Sequence, residues 1–314
     1  MKMKNLVTFK NLSAIVVSGI VVLASCSKSS DNPLSSTDSQ NVNSESVSSS
    51  TANEASDLGN SVIANVSDTQ LTGARVSSGT IIITGLDGKD GRLKGATITI
   101  VGSGTKAAPS GTITIDYGTA GVTTGGVTRK GKIIIAYVGS RLQPHSTRTI
   151  SFDGFSRNAV TITGTYNVTV VDTTLTNTDF TATFSHTTNL TLTFPDNTTI
   201  TRQASFTVVW DLIIATPLQS TITYKAGGGA SGTTRKGASY AMSITKDLIH
   251  RADCFASGMF LPISGTKTIA VTSSSGATPV VYTLDFGSGS TCTNSVTVTV
   301  NGKTKTITVS GDGN

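Results

Sequence analysis

The chain has 314 residues, of which 13% are charged and 5% aromatic, with 32 glycines and a formal charge of +6. So few charges and aromatics, among abundant Thr, Ser, Val and Ile, fit an extracytoplasmic β protein of one large or two medium domains. The charge is no nucleic-acid footprint: Lys2, Lys4 and Lys10 all precede Cys26, in a segment expected to be removed, and without them +3 remains.

Residues 1–25 read as a secretory signal. The three lysines form a positive n-region, and the apolar run from Leu12 to Leu23 is too short to span a bilayer comfortably. It ends in Leu23-Ala24-Ser25-Cys26, which resembles a bacterial lipobox. That resemblance implies diacylation of the Cys26 thiol, cleavage before it, and acylation of the new amine, palmitate being the expected kind of chain. Three acyl chains exceed what stable anchoring needs. Ser27 follows the cysteine, and the absence of Asp there favours the outer membrane, with either its periplasmic face or the cell surface open. The expected partner is therefore the membrane itself, through Cys26.

Residues 26–56 are Ser-, Asn- and Asp-rich, with almost no large apolar residue beyond Leu34, and are expected to form a disordered tether. Over Asn53–Val66 the four-residue spacing of Leu58, Val62 and Val66 points to one short helix, with Glu54 and Asp57 near its positive end. Gly59 and the neighbouring Ser and Asn work against it.

The body, residues 57–314, reads as all-β. Strands are expected at 80–84, 96–101, 112–117, 132–138, 148–153, 159–171, 178–185, 189–194, 199–210, 220–225, 239–245, 267–272, 279–286, 294–300 and 303–309. No helix-period stretch separates them, so the sheets should be antiparallel, as a sandwich or a long twisted meander, with two subdomains dividing near 215 as an option. Pro195-Asp196-Asn197-Thr198 and Asn301-Gly302 are the clearest hairpin turns. Threonines alternate with apolar residues, as in Val296–Val300, and would line a solvated face or a flat surface for glycans.

A hairpin grammar recurs. Thr114-Ile115-Asp116-Tyr117-Gly118 is copied by Thr283-Leu284-Asp285-Phe286-Gly287, and Thr128-Arg129-Lys130-Gly131 by Thr234-Arg235-Lys236-Gly237. The spacing is too irregular for a solenoid. Asp116 and Asp285 sit at equivalent points, where they end a strand, pair with a basic residue or ligate a cation.

Chemistry is harder to find. With Cys26 acylated, Cys254 and Cys292 remain, and in an oxidising compartment they read as one disulfide, two free buried thiols being the alternative. His145, His186 and His250 lack metal-ligand spacing, no metal or cofactor is expected, and no catalytic residue is assigned. Gly227-x-Gly229-x-x-Gly232 has no helix pattern after it and so is not a dinucleotide loop. Asp87-Gly88-Lys89-Asp90-Gly91 reads as a glycine turn rather than a calcium loop. Asp153, Asp172, Asp179 and Asp211 are the acids from which a glycosidase pair would have to come. Trp210, Tyr117, Tyr137 and Tyr224 are too dispersed to define a sugar platform.

The lipobox, the Ser-rich stretch and the elements Thr114–Gly118, Arg129–Lys132, Ile162–Thr165, Ile263–Thr266 and Thr283–Gly287 together resemble a group of uncharacterised Bacteroidota lipoproteins. The resemblance implies location and β architecture, and no activity. The expectation is a lipid-anchored envelope protein with a non-enzymatic binding or structural role, its further partner a glycan or an envelope protein. A glycan-processing accessory protein or hydrolase, and an adhesin or fibre-like component, are the alternatives.

Overall fold

The structure is a computed structural model that describes residues 36–65, 81–83, 90–105, 107–256, 259, 261–276 and 278–308. The signal segment and Cys26 lie outside the described residues. The chain opens with helix α1 (Ser36–Asn65) and continues as β1 (Ile81–Ile83), β2 (Thr97–Gly104), β3 (Pro109–Asp116), β4 (Val122–Thr124), β5 (Val127–Val138) and β6 (Thr147–Arg157). It goes on through β7 (Val160–Leu175), β8 (Asp179–Thr193), β9 (Thr199–Ile213), β10 (Thr221–Tyr224), β11 (Gly229–Thr233) and β12 (Ser239–Arg251). A short helix α2 (Ala252–Ala256) precedes β13 (Ser264–Thr272), β14 (Val280–Ser288), β15 (Ser295–Val300) and β16 (Lys303–Thr308).

All these strands belong to one 16-stranded sheet, and every pairing is antiparallel. Strands follow one another in sequence order, so the fold is the long meander and not the sandwich. β4 hangs off β5, while β10 and β11 fill successive stretches of one slot between β9 and β12. The slot tolerates little bulk: a Cβ on Gly232 would sit 1.9 Å from the Thr201 carbonyl oxygen. At the point where a subdomain division was an option, a turn at Pro217–Gln219 joins β9 to β10, and the two strands pair directly. One sheet runs through it.

Two of the expected strands are one. Residues 178–185 and 189–194 join in β8 because Phe184, His186, Thr188 and Leu190 keep the inward alternation, polar members included. Both expected turns form. Phe194 N–H donates to Thr198 O at 2.9 Å, and Asn301 and Gly302 both take left-handed φ (50° and 72°), as a two-residue hairpin loop requires. Asp116 and Asp285 share one geometry: each accepts the N–H two residues on, from Gly118 at 2.7 Å and Gly287 at 2.8 Å. Asp116 ends β3 and lies 3.7 Å from Lys132 Nζ, whereas Asp285 stands inside β14, opposite Thr297 of β15.

The stretch expected to be disordered is corrected over residues 36–56, which are the first two-thirds of α1. Its small residues are the reason. Ser48, Ala52, Ala55, Ser56 and Ser61 are buried, and Gly59 comes so close to the sheet that a Cβ there would meet Ile135 Cδ1 at 3.1 Å. A Ser-rich helix this polar gains little from its own propensity and depends on packing. The sheet supplies the bulk: Tyr117, Tyr137, Tyr166, Tyr240, Tyr282, Phe184 and Phe206 join Leu58, Val62 and Ile63 in a single core with the isoleucines of β2, β3 and β5.

The sheet ends are blunted. Among the described residues β1 is three residues long, and on β16 Lys303 and Lys305 stand opposite Val300 and Val298, which are buried. Cations on the inward side of an edge strand oppose addition of another strand.

Cys254 on α2 is bonded to Cys292, with S–S 2.07 Å and Cα–Cα 5.3 Å across a sequence separation of 38. The bond ties the approach to β13 to the β14–β15 connection. A loop of that length implies a loss of about 2–4 kcal/mol for Cys254→Ser or Cys292→Ser. The double variant should lose no more than either single one, because both remove the same bond. Denaturant unfolding of the three variants checks this; additive losses would contradict it.

Candidate functional site: the charged interior

Glu45, Glu54 and Asp57 lie in the middle of α1 rather than at its start, where the shorter expected helix put Glu54 and Asp57. Each meets a basic residue: Glu45 and Glu54 on the sheet, Asp57 on the turn Gly91–Leu93. Glu45 is fully buried, with Oε1 3.0 Å from Arg202 Nη1 on β9 and Oε2 3.1 Å from Lys267 Nζ on β13. Glu54 bridges Arg129 on β5 and Arg157 on β6, the latter with Nε 2.6 Å from Oε2. Asp57 lies 3.9 Å from Arg92, which also holds Asp90 at 2.8 Å. Asp90 is thus committed to Arg92. The remaining residues of the calcium-like loop, 87–89, lie outside the described residues.

Glu45 and Glu54 are about two and a half turns apart and leave the helix on opposite sides. Their partners lie on β9 and β13 in one case and on β5 and β6 in the other. The sheet must therefore curl round the helix to reach both sides. Burial alone would raise the Glu45 pKa, but Lys267 and Arg202 outweigh it and hold the carboxyl below its ordinary value.

Beside this network the residues scattered in sequence converge. Trp210 and Tyr224, with Tyr166 and His186, face Asn53, Ser56, Asp57 and Asn60 of α1 across a cavity of about 20 Å³, enough for one or two waters. The Phe184 and Trp210 rings are 4.7 Å apart, and Tyr166 meets His186 edge-on. The Tyr166 hydroxyl lies 2.7 Å from His186 Nδ1. Burial first, and Arg148 second, push the His186 pKa down to about 3, while burial raises that of Tyr166. The pair is thus a protonated phenol hydrogen-bonded to a neutral imidazole. Sequence spacing could not show this group, because its members stand on α1, β7, β8, β9 and β10 and share only an inward parity.

The other candidates do not gather there. Asp153, Asp172 and Asp211 are exposed, and Asp179 accepts a 2.6 Å bond from the Thr178 hydroxyl. His145 is in an exposed turn. The carboxylate of Asp253 is near Cys254 and Cys292, but those sulfurs are bonded to each other and Asp253 pairs with Arg251 at 2.6 Å. That group is spoken for as a disulfide and an ion pair.

The outer face is regular. Thr147, Thr169, Ser185 and Thr207 align across β6 to β9; Thr149, Asn167, Thr187 and Ser205 form the next row, and Ser151, Thr165, Asn189 and Gln203 the third. Rows of hydroxyls and amides thus repeat at about 4.8 Å across the strands and about 7 Å along them.

No family model, curated protein or solved structure matches this chain. Among the described residues no helix is long and apolar enough to cross a membrane.

Two outcomes follow from the interior. Glu45→Ala leaves Arg202 buried without its carboxylate and should cost about 3–5 kcal/mol by denaturant unfolding; a loss under 1 kcal/mol would contradict the pairing. The second is a pH effect of His186, whose folded pKa of about 3 lies below the ordinary 6.5. The unfolded state then binds the extra proton, so stability is full above pH 6.5 and falls as pH drops toward 3. Between pH 6 and 5, above the window in which Glu45 loses its own contribution, His186→Gln should flatten the pH slope by up to about 1.4 kcal/mol per unit. An unchanged slope would contradict a buried neutral imidazole.

Proposed function

We propose that this chain is a lipid-anchored cell-envelope protein with a non-enzymatic binding role, its binding face the rows of threonine, serine, asparagine and glutamine on the outside of the sheet. The observation that carries the reading is the regularity of those rows across β6 to β9. Hydroxyls and amides at fixed spacing can exchange hydrogen bonds with the repeating hydroxyls of a glycan polymer, each weak and many together. The helix and its ion pairs fill the interior, so the binding face has a rigid backing. The lipobox at Cys26 supports the anchor, and the nine residues 27–35 between it and α1 span at most about 30 Å. The body is then held close to the lipid headgroups, with outer membrane attachment favoured by Ser27.

Two experiments test the two halves. Cys26→Ser should leave uncleaved or soluble precursor and remove the protein from the membrane fraction; unchanged detergent partitioning and mass would overturn the anchor. The mature protein should cosediment with at least one insoluble polymer from a panel of peptidoglycan sacculi and β-glucans. Thr165→Lys with Thr187→Lys should abolish that binding while changing stability by no more than about 0.5 kcal/mol each. Sedimentation with none of the polymers, or unaltered binding by the variant, would overturn the face. Turnover of a polymer, lost on one polar substitution, would replace the reading with that of a hydrolase.

A further inference from the structure

Among the described arginines, Arg92, Arg129, Arg157, Arg202, Arg235 and Arg251 each have a carboxylate within ion-pair distance. Arg141 and Arg148 have none among the described residues. They line one cavity together, beside Ile63 near the C-terminal end of α1, with Ser140 and Ser146 in the same wall. Arg148 is buried and reaches the helix through Asn60 Oδ1, a neutral acceptor. Arg141 lies 6.0 Å from the centre of the Trp210 ring, and its Nε is buried without a hydrogen bond. The Ser146 hydroxyl is also buried and unbonded. Each guanidinium feels the other: burial first, and Arg141 second, lower the Arg148 pKa to about 10.

Two like charges, with Arg141 Nε and the Ser146 hydroxyl unbonded beside them, are costly in an interior that elsewhere gives each described arginine an anion. The loop that presents Arg141 is pinned: Gly139 N–H donates to Pro109 O at 2.7 Å, His145 N–H to Val170 O at 2.8 Å, and Val170 N–H to Ser146 O at 2.9 Å. Arg141 Nε and the Ser146 hydroxyl are therefore held in place without a hydrogen-bond partner among the described residues.

We propose that Arg141, Arg148 and Ser146 form a binding site for a terminal oxyanion, a phosphate or carboxylate group carried on a free ion or at the end of a larger molecule. The guanidinium fork suits either group. The enclosed space of about 10 Å³ takes no more than a single oxygen-sized group, so the anion inserts one oxygen and stays open to solvent on its far side. The proposal does not rest on the anchor or on the outer face, although Thr147 of the first outer row also lines the cavity.

The test is a titration of the mature protein with sodium phosphate and with sodium acetate, read by thermal shift against sodium chloride at equal ionic strength. A saturable stabilisation by either anion beyond chloride is expected. Arg141→Gln, on a half-exposed loop position, should weaken it by about tenfold or more, the effect of losing a charged hydrogen bond. Arg148→Gln should do the same; if it does not fold, the Arg141 variant alone decides. Glycerol 3-phosphate and glucuronate, run alongside, separate the sources: tighter binding than the bare anion assigns the site to a headgroup or an acidic sugar, and equal binding to a free ion. No stabilisation beyond chloride by any of the four, or full stabilisation in Arg141→Gln, would overturn the proposal.

Discussion

A carboxylate taken out of water costs several kcal/mol unless a cation and further hydrogen bonds meet it, and α1 carries Glu45, Glu54 and Asp57 into the interior together. Each must find a base on the surrounding strands or, for Asp57, on the turn Gly91–Leu93, and the bases must stand on different sides. That requirement orders much else. Arg129 and Arg202 occupy inward positions that alternation would otherwise fill with valine or isoleucine. Placing Arg202 and Lys267 on one flank of the helix and Arg129 and Arg157 on the other ties β5 and β6 to β9 and β13 through a common centre. Ion pairs of this kind add little net stability over apolar packing, but a mismatch in register is severely penalised. They select one angular and axial setting of a helix that has few large side chains to fix it by shape.

Steric division of labour follows from the same enclosure. A helix inside a curled sheet must be slim, so it is built of Ser, Ala and Gly, and the sheet brings the aromatic rings. Bringing tyrosines to the inner face adds hydroxyls that need partners: Tyr117 donates to the Arg92 carbonyl at 3.1 Å, and Tyr166 shares a hydrogen bond with His186. The outside, free of these demands, carries short polar side chains in rows.

The strands were legible because period-two alternation survives wherever one face is buried, and the turns because Asn301-Gly302 and Asp196-Asn197 carry their own backbone preference. The join of two expected strands at His186 and Thr188 was missed because polar residues at inward positions look like a break. β11 was hidden by Gly229 and Gly232, which read as loop residues until the crowding between β9 and β12 explains them. The length of α1 was unreadable for a stronger reason: a Ser- and Asn-rich segment has the composition of a tether, and only three-dimensional matching of its acids to distant arginines orders it. The disulfide was legible from the cysteine count, given the oxidising compartment that the signal segment led one to expect. The Arg141–Arg148 pair was not, since nothing in sequence says which arginines lack an acid.

An enclosed helix makes one property of the molecule measurable without mutation. If α1 is an interior element held by its ion pairs, its amides open only when the sheet does. Hydrogen exchange on the native mature protein should therefore show residues 51–63 protected to the same degree as β7, β8 and β9, with the two losing protection together as denaturant is added. Exchange of the helix at the rate of an unstructured peptide, while the central strands stay protected, would contradict the account.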